Sequence, residues 1–587
     1  VALPSYAGPK GIKVVRGKVK VKHRGKKTVI KASDRAIIRY RNFDIARGER
    51  VRFVQPGRNA RVLNRVKGPG ATRIDGALSA NGRVTIVNRQ GVHIGRGAVV
   101  KVAALAAVAG DISNRDFVNG VEHYVGVEGD VENHGRIEAG EALLIGRYVE
   151  NHGVILSDDG LITMLAGEDV YIGRHGDGVL VKIEGSRMAG AAEADRAGVT
   201  AGGRIDAGDG QVVMAAGDMY SLAMNVPGLV RGGDVLVEGQ GAGRVEVTGS
   251  IDATSDTGAG GRIRVLGEDV ALEGATLDAS GATGGGEILV GGNAQGSGPE
   301  RNSETTSVDE ASRLAADATD SGDGGRIIVW ADQTAEIHGA ISARGAGGGD
   351  GGFVETSGKE GLVLTSAPAL GEGGQWLIDP RNLTIVADAP TLGDDTTGID
   401  DASGPPANPV PPTSTTGEFR ASENDATLEV GLILQALTDG ADVTVFTGGG
   451  GGQDGDISVA APIDYDGTGD NTLRLVALDD ITIESGSTIG DGDGGTADSL
   501  NLQLDADGDV LILADIDTAG GFFESNGVAF TLGDGANNAN ITTGGGDVDL
   551  IHTGAVAIDN GSITTSGGDF DSAGTTFDLD SAGGGVD

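Results

Sequence analysis

Two histidines at a fixed spacing offer the first chemical reading of this sequence. Val131-Glu132-Asn133-His134-Gly135 recurs 18 residues later as Val149-Glu150-Asn151-His152-Gly153. A pair of imidazoles with glutamates beside them is the start of a metal site. Zinc needs about four ligands, yet no third histidine follows in the same register and the chain has no cysteine. The same pentapeptide reads more simply as a corner visited once per turn of a coiled strand. There Asn133 and Asn151 stack in a ladder, His134 and His152 lie side by side, and glycine makes the turn. The corner is the preferred reading.

Other chemistry is weaker. Acidic turns such as "SDDG" at 157–160 and "IGDGDGGTAD" at 489–498 could take calcium, but neither an EF-hand loop nor a regular calcium nonapeptide is present. No other cofactor or metal is expected. Adjacent carboxylates, Asp158-Asp159 and Asp479-Asp480, could serve glycan cleavage. With 85 acidic residues, such pairs arise by chance. Pieces such as "GTGDNT" lack the strand–helix setting of a phosphate loop. The expectation is that the chain is not an enzyme.

The elements that hold these residues follow from composition and pattern. Glycine reaches 105 of 587 residues, hydrophobic residues 39% and aromatics only 3%. A core of Val, Ile, Leu and Ala in short strands between glycine turns fits this best. From about Ile74 the apolar positions alternate with period two, as in "GRIEAGEALLIG" and "GVILSDDGLITMLAGEDVYI". Longer units, "GGRIRVLGEDVALEGATLDASG" from Gly260 and "GGRIIVWADQTAEIHGAISARG" from Gly324, repeat the style. A unit of roughly 18–27 residues means a solenoid. The predicted fold is all-β, a parallel β-helix with short extra-helical insertions and a candidate capping helix.

Charge is split along the chain. Residues 1–70 carry 20 Lys+Arg and 3 Asp+Glu, a net of +17; the remainder carries 25 and 82, a net of −57. The stretch "KGIKVVRGKVKVKHRGKKTVIK" at 10–31 alternates cations with Val and Ile, a strand with one basic face. Nucleic acid is not the expected partner, because stacking aromatics and a recognisable motif are missing. Lys18, Lys20, Lys22, Arg24, Lys26 and Lys27 are candidate assembly contacts with the acidic body of another copy, head to tail. An intramolecular cap with solvated lysines is the slightly preferred alternative.

Five units are expected. They are a basic strand or cap at 1–40, a secretion-type domain at 28–225 overlapping it, and β-helix repeats at 226–403. A proline-rich linker at 404–425 and a second acidic solenoid at 426–587 follow. An insertion at 293–323 is predicted to hold a short helix near 309–318, and 426–437 is the best helix candidate. No apolar run approaches the roughly 20 residues of a membrane span. The start at Val1 is read as a signal peptide already removed, and the end inside a repeat as a longer parent protein.

Residues 28–110 resemble the amino-terminal secretion domain of two-partner-secretion exoproteins, the filamentous-haemagglutinin family. The matching text is "RAIIRYRNFDIARGERVRFVQPG" and "ARVLNRVKGPGATRIDGALSANGRVTIVNRQGVHIGRGAVV". The family's Asn-Pro-Asn-Gly-Ile motif stands here as Asn88-Arg89-Gln90-Gly91-Val92, without the proline and second asparagine. "RIDAGDGQVVMAAGDMYSL" and "GGQWLIDPRNLTI" are similar to downstream stretches of the family. The resemblance is tight over about 28–225 and looser through 587.

The resemblance implies a right-handed parallel β-helix exported through the periplasm by an outer-membrane β-barrel transporter. It assigns the secretion motif to Asn64, Arg65, Asn88, Arg89, Gln90 and Gly91. The expected function is a secreted or surface-attached adhesin or filament subunit with an unidentified receptor. A stalk for a toxin or effector domain farther along is the alternative; a glycan-cleaving β-helix ranks below both.

Overall fold

The structure, a computed structural model, describes residues 8–175, 178–184, 196–380, 382–387, 426–448, 454–467, 469–491, 499–579 and 585–586. The proline-rich stretch at 404–417 and most of the acidic turn at 489–498 lie outside these.

The chain winds as a parallel β-helix, as the alternating pattern predicts. A representative coil runs from Glu141–Gly146 on one face through Val149–Asn151 to Val154–Leu156, and Leu161–Ala166 returns to the first face. Each strand pairs in parallel with its counterpart one coil on, Glu141 with Leu161 and Val131 with Val149. The first face is a sheet of 20 strands, flanked by sheets of 11 and 13 that later give way to sheets of 8 and 6. Among the described residues this first sheet runs unbroken from Gln375–Ile378 to Asp442–Phe446.

Stacking makes columns. Ile162, Val212, Val235, Ile263, Ile288, Ile327 and Val354 face one another in register and are fully buried. Burying each such side chain is worth about 1.5–3 kcal/mol. Small β-branched residues suit the narrow interior, which explains a core with so few aromatics.

Three departures from the plain coil matter. The basic start forms a hairpin, Val19–Arg24 antiparallel to Lys27–Ala32, while Lys13–Arg16 runs antiparallel to Ala36–Tyr40. These strands cap the first coil. An extra-helical sheet of Asp111–Ile112, Glu122–Val125, Asp169–His175 and Gly178–Glu184 lies against the first face. It carries the helix Asn114–Asn119, capped by Ser113 and closed by Gly120 at φ +81°. Beyond the predicted linker, Ala426–Glu429 is a strand and Val430–Thr438 a helix. The helix predicted near 309–318 is absent: Thr305–Val308 and Arg313–Ala315 are coil strands there. Pairing with Asp269–Leu272 and Thr276–Asp278 overrides the local helix preference. Of the insertion predicted at 293–323, the part that leaves the coil is the stretch around 291–304.

One interior group gives a pH prediction. His552 is 4% exposed, against Ser525 Oγ at 3.1 Å. Burial pushes its pKa down to about 4. The unfolded chain takes this proton near pH 6.5 and the folded chain does not, so stability falls as pH drops from about 6.5 to 4, by up to about 3 kcal/mol. Thermal melts across that range should show the loss, and His552→Leu should flatten it.

Candidate functional site

The secretion-motif residues sit on two adjacent coils and divide into buried and exposed groups. Asn64 lies in Arg61–Val66 with no exposure; it accepts from Tyr40 Oη at 3.0 Å and donates to the Thr85 carbonyl at 3.1 Å. It is an interior polar tie between coils. Asn88 is 1% exposed and shapes the next corner. Its amide donates to the Gly70 carbonyl and to Thr72 Oγ1, its Oδ1 accepts from the Gln90 N–H, and its carbonyl accepts from the Gly91 N–H. Gly91 has φ +109°, which favours glycine there. The turn thus lifts Arg89 and Gln90 into solvent, with Arg89 3.2 Å from Glu128.

Arg65 points outward beneath the extra-helical sheet and is only 7% exposed. Its Nε donates to Asp111 at 2.7 Å, Nη1 to Asn114 at 2.6 Å, and Nη2 to the Ile112 carbonyl. Lys67 reaches the other Asp111 oxygen at 2.8 Å. Burial pushes the Asp111 carboxyl up, but bonds from Lys67 and Arg65 outweigh it and hold it below the usual carboxylate range. Arg65 is therefore a latch between coil and strap. Asp111, Lys67 and Asn114 complete it, and the sequence reading missed them. "SNRDFVNG", with Ser113 three residues before Asp116 and a glycine end, was the available signal for the strap helix.

Between strap and first face lies a cleft of about 620 Å3. Thr85, Leu143 and Thr163 line its floor, and Phe117, Tyr124 and Tyr171 its roof. Arg83 and Glu141 pair on the floor.

The repeated pentapeptide forms one corner of consecutive coils. Asn133 Nδ2 donates to Asn151 Oδ1 at 2.8 Å, and both are fully buried. The ladder ends there because Ala201 stands opposite Asn151 on the next strand. The rings of His134 and His152 stack outside at 5.1 Å and 21°. Their Nε2 atoms face separate carboxylates, Glu132 at 3.6 Å and Glu150 at 3.1 Å, rather than one point. Replacing Asn151 with Leu strands the buried Asn133 amide, and chemical denaturation should show a loss of about 1–3 kcal/mol.

The remaining candidates take simple places. Asp159 and Asp480 accept backbone N–H bonds from Asp209 at 3.0 Å and Asp509 at 2.7 Å, so each stacks one turn on the next. Asp456, Asp479 and Asp480 bring carboxylate oxygens within 4.8 Å of one another. Lys18, Lys20, Lys22, Arg24, Lys26 and Lys27 are all exposed on the capping hairpin and its approach.

Residues 6–265 match the family model of the TPS secretion domain. The crystal structure of the HMW1 secretion domain from Haemophilus influenzae aligns over its whole length, covering 63% of this chain at 30% identity with a TM-score of 0.53. The chain belongs to the two-partner-secretion exoproteins. Two heme/hemopexin-binding proteins of Haemophilus influenzae are also similar. One, from strain Rd, is 34% identical over 172 residues, which is 27% of this chain and 19% of that protein. The other is 42% identical over 87 residues, 15% of this chain and 9% of that protein. The match therefore spans a minor part of these exoproteins, whose names describe binding proteins rather than enzymes.

Proposed function

We propose that an outer-membrane β-barrel transporter reads the amino-terminal coils and exports the chain through the periplasm, and that the rod then acts outside the cell. Its role there is adhesion or the building of an extracellular filament, without catalysis. The observation that carries the export reading is the secretion-domain match over residues 6–265. Arg89 and Gln90 are the motif side chains exposed enough to meet a partner, whereas Asn64, Arg65 and Asn88 shape the surface from within. Local coil-to-coil contacts allow folding to propagate from the first coil as the chain emerges.

Filament formation is supported by the +17/−57 charge split, which favours contact between the basic end of one copy and the acidic coils of another. The units proposed for the chain are the cap, secretion domain, repeats with their insertion, linker and acidic solenoid. Heme or hemopexin binding belongs to the named relatives, of which only a small share is matched. Co-expression with a two-partner transporter, scored by immunodetection in the medium, tests export. Extracellular protein only when transporter and residues 6–265 are both present supports it; transporter-independent release overturns it.

A further inference from the structure

The capping hairpin and the strand beside it form a flat cationic face. Val19 and Val21 pack toward the core, so Lys20, Lys22 and Arg24 face outward on Val19–Arg24. Lys27 and Lys31 face outward on Lys27–Ala32, and Arg50 and Arg52 on Arg50–Val54. In register, Lys27 stands between Arg24 and Arg50, and Lys20 stands opposite Lys31. Among the described residues none of these seven forms a salt bridge. Along the strands of this face the first outward carboxylate is Glu138, three strands beyond Arg50–Val54. Like charges set opposite one another across strands repel, so the face is completed by an anionic partner.

The same chain holds a matching surface. Residues 426–587 contain 29 Asp+Glu and a single cation, Arg474. Before Ile457–Val459, Ile481–Ile483 and Val510–Ile512, successive turns place Asp454 and Asp456, then Asp479 and Asp480, then Asp507 and Asp509. The Asp480 N–H donates to Asp456 at 3.2 Å and the Asp509 N–H to Asp480 at 2.7 Å, so these turns stack directly. Slight burial and then the neighbouring Asp480, Asp456, Asp454 and Asp509 push the Asp479 carboxyl up, the mark of crowded negative charge.

Both surfaces repeat at the coil rise of about 4.8 Å, so three basic strands match three acidic turns in spacing. Within one chain they cannot meet, because roughly a dozen coils, on the order of 60 Å, separate them along one rod.

We propose that the cationic face docks side-on against the acidic turn ladder of a second copy. This rests on the filament reading above and names its contact. The basic side chains point sideways from the sheet, so the joint is a lateral overlap of rod ends. Donor and acceptor surfaces differ, so the contact leaves one of each free and propagates.

Sedimentation velocity of the full chain at low and high salt tests it, with Lys22→Glu/Arg52→Glu and Asp454→Lys/Asp507→Lys as exposed charge reversals. The wild type should associate at low salt and dissociate at high salt. Each reversal should weaken association roughly tenfold or more, and mixing the two variants should restore it between them. Association unchanged in either variant, or a wild type that stays single at low salt, would overturn the contact. Wild-type protein that binds anionic phospholipid vesicles but never itself would also overturn it and give the face to a membrane. Filaments that persist in both variants, seen by electron microscopy, overturn this contact and leave the filament reading standing. Secretion of the Lys22→Glu/Arg52→Glu variant should stay at wild-type level, which separates this contact from export.

Discussion

Arg65→Ala is expected to release the extra-helical strap while leaving the stacked coils in place. The substitution removes bonds to Asp111, Asn114 and the Ile112 carbonyl at once, and leaves the Asp111 carboxylate, itself largely covered, with Lys67 and the Ile112 N–H. Because Lys67 and the Ile112 N–H still hold the Asp111 carboxylate, the loss should be about 1.5–3 kcal/mol, below that of a buried charge left uncompensated. Far-UV circular dichroism should change little, because no interior column is touched. Limited proteolysis should gain cleavage within 111–125, and export should fall. Arg65→Lys keeps the charge but not the planar fork, so it should lie between wild type and Ala. The Asp111 contribution is present above the unfolded carboxylate range and is lost as pH falls through its lowered folded pKa. The variant should therefore approach wild-type stability in acid. An unchanged cleavage pattern would remove Arg65 as the latch.

Gly153→Val should damage the coil itself rather than an attachment to it. A Cβ at Gly153 would lie 2.2 Å from the Gly135 carbonyl oxygen and 2.8 Å from its nitrogen. Gly203, Gly228 and Gly249 continue the column, each with a Cβ position 2.1–2.2 Å from the carbonyl of the glycine before it. Since both atoms belong to backbone, neither can swing away, and the coils must part. Overpacking of this kind costs about 1–3 kcal/mol or more, and lost strand pairing adds to it. Loss of soluble folded protein, or a large drop in melting temperature, is the expected readout. Gly57→Ala is the control: nothing lies within 4 Å of its Cβ position, so it should stay within about 0.5 kcal/mol of wild type.

Those two substitutions also separate what is legible in the sequence from what is not. The coil was legible because alternation, turn glycines and a repeated pentapeptide all report one local rule. Asn133, His134, Asn151 and His152 fell into register from an 18-residue offset alone. What the sequence hid were contacts made sideways from the coil. Arg65 stands 46 residues from Asp111, and no periodicity links them. The strap is assembled from 111–125 together with Asp169–His175 and Gly178–Glu184, far apart in sequence, and its short strands look like ordinary coil strands. Near 309–318 the opposite error arose, since Glu310, Ala311, Leu314 and Ala315 favour a helix in isolation. Strand pairing to neighbouring coils decides the matter there. The basic stretch at 10–31 announced its charge, but only the register with Arg50–Val54 shows a two-dimensional face.

The most direct test of the account is site-specific photo-crosslinking during export. In the proposed export route a transporter reads the exposed corner raised by Asn88. A photoreactive residue at Gln90 should give an adduct with the transporter in cells exporting the full chain. The same group at Asp507, exposed in the acidic coils, should give none. Adducts from Asp507 but not from Gln90 would contradict the account and move recognition away from the amino-terminal coils.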